Sequence, residues 1–164
     1  MVDIQTVSVA IASASVVAGI VYYAFQIKHQ TKIRQADLAW RMSQIMYADD
    51  YREAILKVLN LDFEDYDEFL KEYGPYLSDS STMKAITKIN VLYTNLGSQV
   101  KDGLIDSKLV HSVFGTACQR AWEKVKPIIE GYRKTSNQPR YLLDFEYLYN
   151  EMKKRDQKLR QSKA

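Results

Sequence analysis

The sequence is short of several residue types, with one cysteine, three prolines, six glycines and two histidines. A lone cysteine excludes a disulfide scaffold, and so little glycine and proline excludes a collagen-like chain and argues against a turn-rich β sandwich. Charge is also missing near the start: residues 4–27 hold none, between Asp3 and Lys28. There is no G-x-S-x-G elbow, no phosphate-cradling glycine loop, no dinucleotide fingerprint and no H-E-x-x-H or E-x-x-H pattern, so no motif names a reaction, a metal or a cofactor.

What is present is a chain of 164 residues, 46% hydrophobic and 26% charged, the mix of a folded protein. The hydrophobic content is unevenly spread. If helical, residues 4–27 reach roughly 36 Å at ~1.5 Å per residue, against a bilayer hydrocarbon core of ~30 Å. Tyr22, Tyr23 and Phe25 fall where interfacial aromatics are expected. The run lacks the basic leader of a signal peptide and the Lys or Arg stripe of an interfacial helix. A transmembrane helix within residues 1–27 is the expectation.

Lys28, Lys32, Arg34 and Arg41 follow the run, and only the terminal amine is basic before it. The positive-inside rule then places the N-terminus outside and the rest in the cytoplasm, as a single-pass cell-membrane protein. Ser8, Ala12, Ser15 and Gly19 recur at spacings of four, three and four. Such a stripe lets membrane helices approach closely, in a homodimer or against another membrane protein; the plainer account is that spans are often rich in Ala and Ser.

The remainder shows helical periods and no strand-like alternation. The predicted fold class is all-α: an N-terminal transmembrane helix followed by a cytoplasmic helical bundle. Residues 28–50 read as a juxtamembrane stalk, 51–152 as the helical domain and 153–164 as a basic tail. Asp50 with Glu53, and Asp65 with Glu68, are in capping-box register, and Gly74-Pro75 stops the second helix. Asp79-Ser80-Ser81 opens a helix whose Ile86, Ile89, Tyr93, Leu96 and Val100 form one apolar stripe. Asp106 caps a short helix ending at Gly115; a further stripe runs from Cys118 to Tyr132, with a kink expected at Pro127. The last helix starts near Arg140 and carries Leu142, Phe145, Tyr149, Met152 and Leu159. The greasy segment 141–149 is either the centre of the bundle or a face for a partner.

The acidic stretch around Asp62 fails as a calcium loop, because its fifth and sixth positions are Tyr66 and Asp67 rather than a ligand and a glycine. His29 and His111 have no ligand partner at metal spacing and read as surface or packing residues. Cys118 sits on a core stripe and reads as an inert buried thiol.

Charge is polarised. Residues 49–79 hold ten acids against three bases, and residues 120–163 hold twelve bases against six acids. Lys153, Lys154, Arg155, Lys158, Arg160 and Lys163 make the end of the chain strongly basic. This end can meet the acidic segment, lie against anionic lipid or be a solvated helix end braced by Glu151 and Arg155; nucleic acid is the disfavoured reading.

Four groups of residues resemble an uncharacterised family of small archaeal proteins with one span and a helical domain of unknown function. They are Glu64-Asp65-Tyr66-Asp67-Glu68-Phe69 with Tyr73-Gly74-Pro75; Leu104-Ile105-Asp106 with Val113-Phe114-Gly115; residues 122–129 from Trp122 to Ile129; and residues 145–152 from Phe145 to Met152. The resemblance implies no reaction, cofactor or catalytic residue. The functional expectation is a membrane-anchored helical interaction or regulatory module without recognisable catalytic chemistry. The alternative is a membrane-tethered effector or sensor whose small-ligand or hydrolytic site is built from cytoplasmic carboxylates.

Overall fold

A computed structural model of the chain describes residues 3–161, with the backbone alone for residues 6, 7 and 9–11. Its elements are α1 (Ile4–Tyr47), α2 (Asp49–Leu59), α3 (Tyr66–Tyr73), α4 (Ser81–Lys101), α5 (Ser107–Thr135) and α6 (Leu143–Gln161). No strand occurs among the described residues, so the all-α expectation holds. The chain divides into two compact units, Met1–Trp40 and Arg41–Ala164.

The membrane expectation does not hold. Among the described residues no helix is long and apolar enough to cross a membrane. Ser13, Ser15, Gln26 and the hydroxyls of Tyr22 and Tyr23 interrupt the apolar side chains of residues 12–27. The transmembrane helix, the outside N-terminus and the single-pass cell-membrane placement are therefore corrected together. Lys28, Lys32, Arg34 and Arg41 flank no span and are exposed cations of α1.

In the first unit, the described side chains are exposed almost throughout. The second unit buries its apolar stripes. Residues on α4 (Ile86, Ile89, Tyr93), α5 (Val110, Cys118, Val125, Ile128) and α6 (Phe145, Leu148, Met152) have no exposed surface. Each such aliphatic or phenyl side chain contributes roughly 1.5–3 kcal/mol of transfer free energy. Tyr93 stacks on Phe145 with centroids 5.0 Å apart, and Trp122 meets the same ring edge-on at 5.0 Å. Central packing is thus the fate of the 141–149 segment.

Local signals explain most boundaries. The Asp65 carboxylate accepts from the Glu68 amide at 2.9 Å, Ser80 Oγ from Met83 at 3.2 Å, and Asp106 from Lys108 at 2.7 Å, each satisfying a first-turn donor. Gly74 ends α3 at φ 83°, a conformation that suits glycine. Three expectations shift. Asp50 does not cap α2, which starts after Ala48 with no side-chain cap, because its carboxylate accepts instead from Lys88 Nζ at 2.6 Å. Gly115 does not end a helix; α5 runs through it and through Pro127. Leu142 takes φ 55°, so α6 begins only at Leu143.

Close approaches between helices rely on two glycines. A Cβ at Gly97 would run into the Asp144 carbonyl oxygen, which brings α4 against α6. A Cβ at Gly131 would strike the Tyr66 ring, which seats α3 on α5.

Candidate functional site

An open groove of about 550 Å³ lies between α2 and α5, with the end of α1 at its margin. The α2 wall presents Tyr51, Ile55, Leu56 and Leu59, and the α5 wall presents Val113, Gly115 and Ala117. These positions follow from helical periods, since α2 turns Tyr51 and Ile55 towards the core and leaves Leu56 on the rim. Leu56 is 56% exposed and Tyr47, at the margin, 75%. Large apolar side chains thus line a surface that nothing covers among the described residues.

The groove's polar groups stand on its edges. Arg52 lies on the α2 wall and Arg120 on the α5 wall, while no Asp or Glu is among the lining residues. Arg52 meets Asp49 at 3.7 Å across one helical turn, with both side chains mostly in water, a pair worth little. Two of the hydroxyls along the groove are taken up within the fold, and that of Thr116 stands on the exposed part of the α5 wall. Tyr51 Oη shares a 2.8 Å hydrogen bond with Tyr93 Oη inside the core. Burial pushes both phenols above their ordinary range. Ser112 Oγ donates to the Leu109 carbonyl at 2.8 Å.

His111 closes one edge. Its Nε2 lies 2.7 Å from Asp156 Oδ1 on α6, and Gln119 Nε2 donates to the other carboxylate oxygen at 2.7 Å. The Gln119 amide and then the His111 ring hold the Asp156 carboxyl below the usual carboxylate range. The imidazole rests over Gly115, where a Cβ would come within 3.0 Å of His111 Cδ2. His111, Gly115 and Gln119 are spaced four apart on one face of α5, and that spacing is the only trace of the cluster in the sequence. Asp156 is 45 positions from His111 and carries no local signal of its role. The arrangement orients an imidazole, and the neighbouring Ser112 hydroxyl donates to the backbone.

The residues singled out from the sequence lie elsewhere. Ser8, Ala12, Ser15 and Gly19 are exposed on α1, and a Cβ at Gly19 would meet nothing within 4 Å. The basic tail as far as residue 161 is the end of α6 rather than a separate segment, and Lys163 lies outside the described residues. Lys153 sits 5.2 Å over the Tyr149 ring, and Lys154 pairs with Glu151 at 2.8 Å. Arg155 turns from Glu151 to α5, with Nε 3.1 Å from Ser107 Oγ and Nη2 3.8 Å from Asp106. The acidic segment meets other partners: Asp50 pairs with Lys88 at 2.6 Å and Asp79 with Lys84 at 2.8 Å. Cys118 is fully buried, and burial pushes its thiol above the usual range. Among the described residues no three His, Cys, Asp or Glu side chains are grouped to hold a metal.

A family model described as a domain of unknown function (DUF4760) matches residues 11–152, a stretch that contains every block on which the resemblance rests. No curated protein and no solved structure matches the chain.

Proposed function

Since the chain belongs to the DUF4760 family, whose description carries no activity, we propose from its surfaces that it is a helical interaction module without catalytic chemistry, which assembles with a second copy of itself through α1. One observation carries this reading. Val16, Val17, Ile20, Val21, Tyr22, Tyr23, Phe25 and Ile27 are each about half or more exposed, on every side of an uncharged stretch of α1. A helix of that kind needs a cover, and an uncovered apolar surface marks an interaction site. A second copy fits because Ser8, Ala12, Ser15 and Gly19 leave room for two backbones to come close. No charge in residues 4–27 opposes the contact.

Analytical ultracentrifugation of the intact chain tests it. A dimer or larger assembly is expected, weakened by Gly19→Leu and by Ile20→Lys. A chain that stays monomeric at every concentration, with no cross-linked product, overturns the reading.

A further inference from the structure

The groove between α2 and α5 is a second surface, distinct from the exposed apolar stretch 16–27 of α1. We propose that it binds an amphipathic helix of a partner protein, one carrying carboxylates on both sides of its apolar stripe. This rests on the interaction-module reading and adds the chemistry of the partner.

Three observations select that occupant. First, the groove is open and flanked by two helices along several turns, from Arg52 to Leu59 on one wall and His111 to Arg120 on the other. At ~1.5 Å per residue the walls are roughly 12 and 15 Å long. That length accommodates the i, i+3/i+4 and i+7 side chains of a docked helix.

Second, the charge on its edges has one sign. Arg52 and Arg120 stand on opposite walls, with no carboxylate among the lining residues, although the chain has twenty acids. Of the carboxylates nearby, Asp49 meets Arg52 only in a solvated pair at 3.7 Å, which a docked carboxylate can replace, and Asp156 is already held by His111 and Gln119. A helix laid between the walls therefore meets a guanidinium on either flank, and guanidinium–carboxylate contacts favour Glu or Asp there.

Third, the floor lacks the convergent polar groups by which small-molecule sites orient a ligand. The Tyr51 hydroxyl is committed to Tyr93 and the Ser112 hydroxyl to Leu109, which leaves the exposed Thr116 hydroxyl on one wall with no second group converging on it. Ile55, Leu56, Leu59 and Val113 offer apolar contact only. Recognition then comes from an apolar stripe on the floor and charge at the rim, which is how a helix is read.

The test is a displayed library of helical peptides, apolar at i, i+3, i+4 and i+7 and random on the flanks, selected against the intact chain. Selected peptides are expected to carry Glu or Asp on both flanks and to lose affinity as salt rises. The double variant Arg52→Glu/Arg120→Glu should weaken them tenfold or more, and Leu56→Glu by a similar factor. Leu56 and Arg120 are exposed, and circular dichroism with unchanged melting shows that the variants remain folded. No enrichment, enrichment of neutral or basic flanks, or binding indifferent to these substitutions overturns the proposal. So does displacement of the peptides by decanoate at equal occupancy of the arginines, which would make the groove a small-amphiphile site. Sedimentation of the same protein separates the two readings: failed selection with an intact assembly removes the groove proposal alone, and a monomer that still selects acidic helices removes self-association alone.

Discussion

The α4–α6 seam and the α2–α5 seam both join helices with apolar faces, and each has a glycine on one of its helices. At Gly97 the missing side chain is filled by backbone, the Asp144 carbonyl, so α4 and α6 meet closely and bury Phe145 and Leu148 completely. Lys101 closes that rim on Asp144 at 3.0 Å. At Gly115 the space is taken by the His111 ring of the same helix, and α2 and α5 meet less extensively. Leu56 and its neighbours are left lining a groove. A glycine closes a seam only when the facing helix supplies what fills it. When a side chain of its own helix fills it first, the seam stays open for something else.

The largest expected effect contrasts a residue from each seam. Phe145→Ala should lower unfolding free energy by about 3–5 kcal/mol, because it empties a sealed core. Leu56→Ala should change it by no more than about 0.5 kcal/mol. Urea unfolding of both variants measures this, and equal losses would end the distinction between sealed and open seams.

The glycines sharpen it. Gly97→Ala should cost about 1–3 kcal/mol through backbone displacement, although alanine is favoured over glycine in a helix by ~1 kcal/mol. Gly115→Ala should come out near neutral, since its Cβ meets only a ring that can move by a few tenths of an ångström. A Gly115→Ala protein as damaged as Gly97→Ala would show that the His111 ring is rigidly held.

Tyr51 belongs to both the groove and the core, so Tyr51→Phe probes where one gives way to the other. It removes the 2.8 Å hydroxyl pair and leaves the Tyr93 hydroxyl buried without that partner. A loss of about 1–2 kcal/mol is expected, read from thermal melts, with a Tyr51→Phe/Tyr93→Phe pair recovering part of it. If the double variant is worse than the sum of the singles, the hydroxyl pair is not the source.

The sealed seam was largely legible in the chain and the open one was not. Ile86, Ile89, Tyr93, Phe145 and Met152 declare their burial by helical spacing, and Asp65, Ser80 and Asp106 declare helix starts by local chemistry. Leu148 does so less well, because it lies off the heptad-like stripe that wrongly includes the exposed Leu159. Asp50 misled because a long-range partner, Lys88, outcompetes the local cap. Gly115 misled because glycine tolerates a helix interior when its missing side chain makes room for another group. The groove itself depends on which helix faces which, and His111–Asp156 on a contact across 45 positions; neither leaves a periodic trace. The uncharged run 4–27 misled differently: absence of charge suggests a span, and among the described residues no helix is long and apolar enough to cross a membrane.

The smallest effect concerns the hinge between the two seams, where Asp156 of α6 ties to His111 and Gln119 of α5. Its carboxyl is held below the usual range, so the folded protein binds that proton more weakly than the unfolded chain. The ionised form therefore stabilises the fold above the unfolded value of ~3.9, and the contribution is lost as pH falls through the folded value. With the side chain 39% exposed, solvent screening keeps the gain on the order of a few tenths of a kcal/mol. Asp156→Asn should then be less stable than the parent at about pH 6 and indistinguishable from it at about pH 2. Comparing the two proteins at each pH cancels the titration of the other carboxylates. A deficit that persists undiminished in acid would mean that Asp156 acts by shape rather than by charge, and that His111 is held at the groove edge without it.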